Sequence, residues 1–150
     1  MDILDIKSSH PYPSCALSNF HPYAFVIDGV QCASMEGFLQ SLKFKSIKAQ
    51  MKTCTLVGLN AKNKGKRKFL WKITGNIYWQ GEKIKRNSSE FRALIDRAYF
   101  ELFKNKELKQ ALIDSKNCEL IHSIGKSNPK KTILTEKEFL KCLNKLRNTL

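Results

Sequence analysis

The sequence predicts an α+β fold: one compact, mostly helical domain over residues 1–150 that carries small β-hairpins. Three observations predict it. Apolar residues recur at three- and four-residue intervals in several separate stretches, the spacing of one buried helix face. Two shorter stretches of β-branched and aromatic residues surround Asp28-Gly29 and Gly81, the arrangement of tight hairpins. A chain of 150 residues, 42% of them apolar, can bury one core but hardly two.

Taken in order, residues 1–22 hold three of the four prolines, Pro11, Pro13 and Pro22, so they read as mostly irregular, with a short strand at Ile3 to Lys7. Ala24 to Cys32 reads as a β-hairpin, because Gly29 accepts the positive φ of its turn. Ser34 is a natural N-cap for a helix from about 35 to 45, whose Met35, Phe38, Leu39 and Leu42 share one face. A second helix, from about 47 to 57, stops near Gly58. Residues 59–72 read as a basic, weakly packed short helix or loop around Gly65. Ile77 to Ile84 forms two extended pieces around Gly81. Asn87 with Glu90 three residues on resembles a capping box, opening the long core helix of Phe91, Leu94, Ile95, Ala98 and Leu102, which runs to about 104. A helix over 106–115 buries Leu108, Ala111 and Leu112. Leu120 to Ile124 is expected to be a strand, and Gly125 to Thr132 a basic loop. Thr135 and Glu138 then form a T-x-x-E capping box for a last helix that turns Phe139, Leu140, Leu143 and Leu146 inward.

The charge balance narrows the partner. Twenty-seven basic residues against 13 acidic ones give +14, more than solubility needs, so the expected partner is an anion. No acid lies between Glu36 and Glu82, a stretch that carries ten lysines and arginines. Residues 62–72 are the densest part and are expected to contact a nucleic-acid backbone, while Phe69, Trp71, Tyr78 and Trp79 are candidates to stack on a base. No run approaches the about 18 apolar residues of a membrane helix, and the acidic start Met1 to Asp5 is unlike an export signal, so no membrane partner is expected. Five scattered cysteines without C-x-x-C spacing fit a reducing cytoplasm, and neither they nor His10, His21 and His122 have metal-ligand spacing. Gly125-Lys126-Ser127 lacks the earlier glycine of a nucleotide-triphosphate loop, since position 120 is Leu; Gly125 and Lys126 remain able to hold a phosphate.

Glu36, Gln40 and Lys43 stand at i, i+4 and i+7, which aligns a carboxylate, an amide and an amine on one helix face. Such a row is commonly just an exposed polar face. Buried, it acquires chemistry: a desolvated Glu holds its proton toward neutral pH and can donate it, and a desolvated Lys becomes a nucleophile toward a carbonyl carbon. Both functions serve the cleavage of a sugar C–N bond, without a metal or cofactor.

Leu17-Ser18-Asn19-Phe20, the hairpin Phe25-Val26-Ile27-Asp28-Gly29 and the helix Ser34-Met35-Glu36-Gly37-Phe38-Leu39-Gln40-Ser41-Leu42-Lys43-Phe44 resemble the NADAR (YbiA-like) family: S-N-F, an apolar hairpin, then E-x-aromatic-x-Q-x-x-K-F. Ala61-Lys62, Gly65, Trp79 and Phe103-Lys104-Asn105 are similar to its later elements. Gly37 and Leu39 replace the usual His and aromatic beside the glutamate, and His122-Ser123-Ile124-Gly125-Lys126 occupies the region of the family's C-terminal Trp-Gly motif.

The resemblance implies an N-glycosidase. Its members hydrolyse N-glycosidic bonds in riboflavin-pathway intermediates or remove ADP-ribose from guanine in nucleic acid. It implies Glu36 as acid/base and Lys43 as the helix lysine, either polarising the sugar or forming a Schiff base. Asn19 and Gln40 would then orient sugar hydroxyls, with Ser18 among the substrate-binding residues, Phe20 and Trp79 stack on a ring, and Lys62, Ser123 and Lys126 meet phosphates. With +14 charge the favoured substrate is ADP-ribosylated guanine in DNA, RNA or a nucleotide. The alternatives are a riboflavin-pathway intermediate and a non-catalytic, basic nucleic-acid-binding module.

Overall fold

A computed structural model describes residues 2–150. It contains eight helices and three two-stranded sheets among the described residues, in an α+β arrangement. The two antiparallel hairpins form where the turn chemistry requires them. β2 (Phe25–Ile27) and β3 (Val30–Cys32) meet through Asp28 and Gly29, at φ 49° and 79°; β4 (Asn76–Trp79) and β5 (Glu82–Lys85) meet through Gln80 and Gly81, at φ 49° and 85°. The third sheet joins β1 (Ile3–Asp5) in parallel to β6 (Glu119–Ile121), so the start of the chain is pinned beside its last third. Both strands are shorter than the sequence reading. Residues 122–124 leave the ladder, as Ser123 bonds sideways to the Asp5 carboxylate instead of continuing it.

The helices follow their caps. α1 (Ser14–Leu17) is a single turn within the stretch expected to be irregular. α2 (Met35–Ser41) starts at Ser34, whose Oγ accepts from the Gly37 amide, and ends sooner than expected, at the turn carrying Lys43. α3 (Ile47–Cys54) follows with Ser46 as its cap. Residues 59–72, read as a weakly packed short helix or loop, fall in two helices, α4 (Gly58–Lys66) and α5 (Leu70–Thr74), and α4 is closely packed on α2. The reason is glycine: a Cβ at Gly65 would lie 1.8 Å from Gln40 Oε1, so α4 is able to press its backbone onto α2. Gly37 acts similarly on the other side, where a Cβ would lie 2.4 Å from the Leu56 carbonyl oxygen. No larger residue fits there without displacing backbone.

α6 (Ser89–Leu102) is the core helix, but its cap is Ser88 and not Asn87; Ser88 Oγ accepts from the Phe91 amide. Its buried stripe of Phe91, Leu94, Ile95, Ala98 and Leu102 matches the periodicity, with Tyr99 buried beside them. α7 (Lys106–Asp114) buries Leu108, Ala111 and Leu112. α8 (Glu136–Arg147) opens with the full capping box of Thr135 and Glu138. Arg86, 4% exposed, donates to both Glu138 carboxylate oxygens and to the Thr132 carbonyl. That fork fastens the segment before α8 to the end of β5. No helix among the described residues is long and apolar enough to cross a membrane.

Candidate active site

A cavity of about 300 Å³ opens between α2, α4 and α5 on one side and the 122–135 segment on the other. Helix α2 supplies Glu36, Leu39 and Gln40, and Lys43 follows on the next turn. The i, i+4, i+7 row therefore faces a partly enclosed space. Gln40 Nε2 donates to Glu36 Oε1 at 2.9 Å, while Gln40 Oε1 is buried against Gly65 without a donor. Burial pushes the Glu36 carboxyl above the usual carboxylate range, opposed by Gln40 and by the nearby charges of Lys43, Lys62 and His122. Burial also pulls Lys43 down to about 8; Glu36 opposes this, and Lys72 and Lys126 reinforce it. The site thus holds a reluctant anion beside a reluctant cation.

The S-N-F turn forms a second edge, with Ser18, Asn19 and Phe20 all lining the cavity. Ser18 Oγ accepts from the Phe20 amide at 3.1 Å, and the Asn19 carbonyl accepts from the Glu36 amide at 3.1 Å, which couples this turn to the start of α2. Asn19 Oδ1 accepts from the buried Tyr99 hydroxyl at 2.8 Å, so its Nδ2 donors are left for a ligand. Tyr99 fixes a site residue from the core helix; its regular place in the apolar stripe conceals that role in the sequence.

Lys62 and Lys126 line the cavity, and the structure adds Lys66, Lys72 and Lys131 to them. With Lys43 that makes six lysines around a single acid, Glu36. The four-residue step from Lys62 to Lys66 along a helix is a usable sequence signal for Lys66. His122 also lines the cavity. Its Nδ1 donates to the Ile6 carbonyl at 2.8 Å, and Phe139 meets the ring edge-on at 5.1 Å. Nε2 has no partner among the described residues; in the ring's neutral form it is the acceptor nitrogen. Metal-ligand spacing gives no hint of this place for His122.

Two sequence-proposed ligands lie elsewhere. Trp79 is buried, donating Nε1–H to Asp28 Oδ2 at 2.9 Å and packing edge-on to Phe38 at 5.1 Å, so it ties the two hairpins together and does not line the cavity. Ser123 also lies outside the lining; its amide and hydroxyl both donate to Asp5, which holds that carboxyl below its ordinary range. Of the other aromatic candidates Trp71 is buried, with Lys43 Nζ 5.7 Å from its ring centre, whereas Phe69 is 63% exposed.

Similarity to known proteins agrees with this architecture. The chain is 41% identical, over the full length of both, to an uncharacterized 17.1 kDa protein from the Gp30-rIII intergenic region of Enterobacteria phage T4. Its fold is similar to the solution structure of the Escherichia coli protein YbiA, with a TM-score of 0.63 and 17% identity across 99% of this chain and 84% of that one. Residues 11–148 match the family described as bacteriophage protein GP30.3, a NADAR-type family, and the chain belongs to it.

Proposed function

We propose that this protein hydrolyses an N-glycosidic bond between a ribose carbon and a base nitrogen, and that its substrate is guanine carrying ADP-ribose. The observation that carries this reading is the cavity's composition: one carboxyl whose pKa burial raises, one amine with its pKa lowered to about 8, and five further lysines around them. A diphosphate uses such a ring of cations, and a lightly charged biosynthetic precursor leaves most of them unpaired.

Glu36 gives its proton to the departing base nitrogen as the C–N bond breaks. Lys43 acts in one of two ways. As a nucleophile its Nζ adds to C1 of the opened sugar, the base nitrogen leaves with the proton from Glu36, and water then cleaves the imine to release the aldehyde and restore the amine. As a cation it only polarises the sugar while water attacks C1 directly. Asn19 Nδ2 and the Ser18 hydroxyl hold sugar hydroxyls, Phe20 stacks on a ring, and Lys62 and Lys126 take the phosphates. His122 Nε2 is suited to accept a proton from the attacking water and return it to Glu36.

The test is direct: chromatographic release of ADP-ribose from ADP-ribosylated guanine in an oligonucleotide and in a nucleotide. Turnover of a riboflavin-pathway intermediate with none of either guanine substrate overturns the assignment.

A further inference from the structure

Outside the cavity, α5 and the residue before it leave an apolar face uncovered. Phe69, Leu70 and Ile73 are 63%, 65% and 73% exposed, while Trp71, on the opposite side of the same turn, is buried. Water-exposed apolar groups at neighbouring positions, one of them aromatic, contribute nothing to the core they leave. Their surroundings are cationic: Lys64, Arg67 and Lys68 lie next to them in the chain, and no acid occurs between Glu36 and Glu82. Lys66, at the end of α4, and Lys72, on α5 itself, also line the cavity, so cations stand both at the site and on the helix that carries the apolar face.

We propose that this face binds single-stranded DNA, with a base next to the target nucleotide stacked on Phe69 and the phosphates tracked by Lys64, Arg67 and Lys68. The cationic surroundings select an anionic partner over an apolar or cationic one. A duplex hides its base faces, so an exposed phenyl ring can stack only where the strand is single. DNA is preferred to RNA because Leu70 and Ile73 flank the ring with methyl groups. A 2′-hydroxyl laid over them loses water and gains no hydrogen bond, whereas a deoxyribose or a thymine methyl loses nothing. The proposal extends the nucleic-acid side of the function above, but it predicts binding of strands that carry no ADP-ribose, so each can fail without the other.

The experiment measures fluorescence anisotropy of a short labelled oligo(dT), the matching duplex and oligo(U) against the whole protein, over a range of salt. Phe69→Ala and Ile73→Ser change exposed side chains, and circular dichroism verifies their folding. Phe69→Ala is expected to weaken oligo(dT) binding about tenfold or more with an unchanged salt slope, because stacking releases no counterions. Lys64→Gln with Lys68→Gln should instead flatten the slope, by about 0.7 for each phosphate that is no longer neutralised. Glu36→Gln should leave binding unaltered. Wild-type affinity in Phe69→Ala, equal binding of duplex or of oligo(U), or a Phe69-dependent association with anionic lipid vesicles that exceeds oligo(dT) binding would each overturn the proposal.

Discussion

The two walls of the cavity are built on opposite principles. On the α2 wall Glu36, Gln40 and Lys43 are brought together by helical spacing, and their positions follow from three numbers in the sequence. On the 122–135 wall His122, Lys126 and Lys131 come from a segment with no regular structure, held by contacts to distant parts of the chain: His122 to Ile6, Ser123 to Asp5, and Thr132 and Glu138 to Arg86. A local wall presents reactive groups at fixed separations. A fastened wall sets how far the opposite face stands from them. Substitutions on the first should therefore change chemistry with little loss of stability, and substitutions on the second should change stability first.

The largest effect is expected at Glu36. Glu36→Gln keeps the shape and the i,i+4 contact to Gln40 but removes the proton, so kcat should fall about 10²–10⁴-fold while substrate affinity stays within tenfold. Retained turnover would remove Glu36 from the mechanism. Lys43 comes next, and pH separates its two roles. A nucleophilic amine must be neutral, so its contribution to kcat/KM grows as pH rises through about 8; a purely electrostatic cation is lost over the same range. Lys43→Arg stays charged at all these pH values, so it should be inactive in the first case and partly active in the second. Lys43→Met should also raise Tm by a few degrees at neutral pH, since the folded protein no longer holds a partly desolvated ammonium.

On the fastened wall the strongest lever is Arg86. Arg86→Met removes both bonds to Glu138 and the one to Thr132 and leaves a carboxylate without its partner. A loss of about 2–3 kcal/mol is expected, less than for a fully enclosed pair because the Glu138 side chain is 31% exposed. Thermal denaturation would record it as a drop of several degrees. An unchanged Tm would mean that the capping box alone holds the segment. Gly65→Ala is subtler and tests the contact between α4 and α2. The new Cβ has no room beside Gln40 Oε1, so the amide must swing away from Glu36. The Glu36 carboxylate then loses the donor that lowers its pKa, its acid form persists to higher pH, and the alkaline limb of kcat/KM should move upward.

The same division decides what is legible in the sequence. Both hairpins, the Ser34 cap, the α6 stripe and the Thr135 capping box are local signals, and all occur in the structure. The Glu36 row is equally local, and its burial is the one thing spacing alone leaves open. Trp79 and Ser123 depart from expectation because residue type indicates what a side chain is able to do and nothing about which partner reaches it first: an indole N–H goes to Asp28, and a hydroxyl to Asp5. The packing of α4 is hidden for a related reason. Its polar, lysine-rich sequence reads as surface, and what packs is the backbone at Gly65.

Ser123 gives the smallest expected effect and the cleanest separation of the two readings. As a phosphate ligand it would set KM; as a latch on Asp5 it sets only how firmly the 122–126 loop is held. Ser123→Ala removes the hydroxyl donor and keeps the amide one, so at neutral pH stability should fall by about 0.5–1.5 kcal/mol with KM unchanged. The sign of its pH dependence follows from Asp5. That carboxyl is held below its ordinary value in the folded protein, so the stability it contributes is present above the unfolded pKa and disappears as pH falls through the folded one. The difference in Tm between Ser123→Ala and the parent should accordingly be largest near neutral pH and close up in acid, where Asp5 is protonated in both. A raised KM with no change in Tm would return Ser123 to the phosphate site and detach the 122–135 wall from β1.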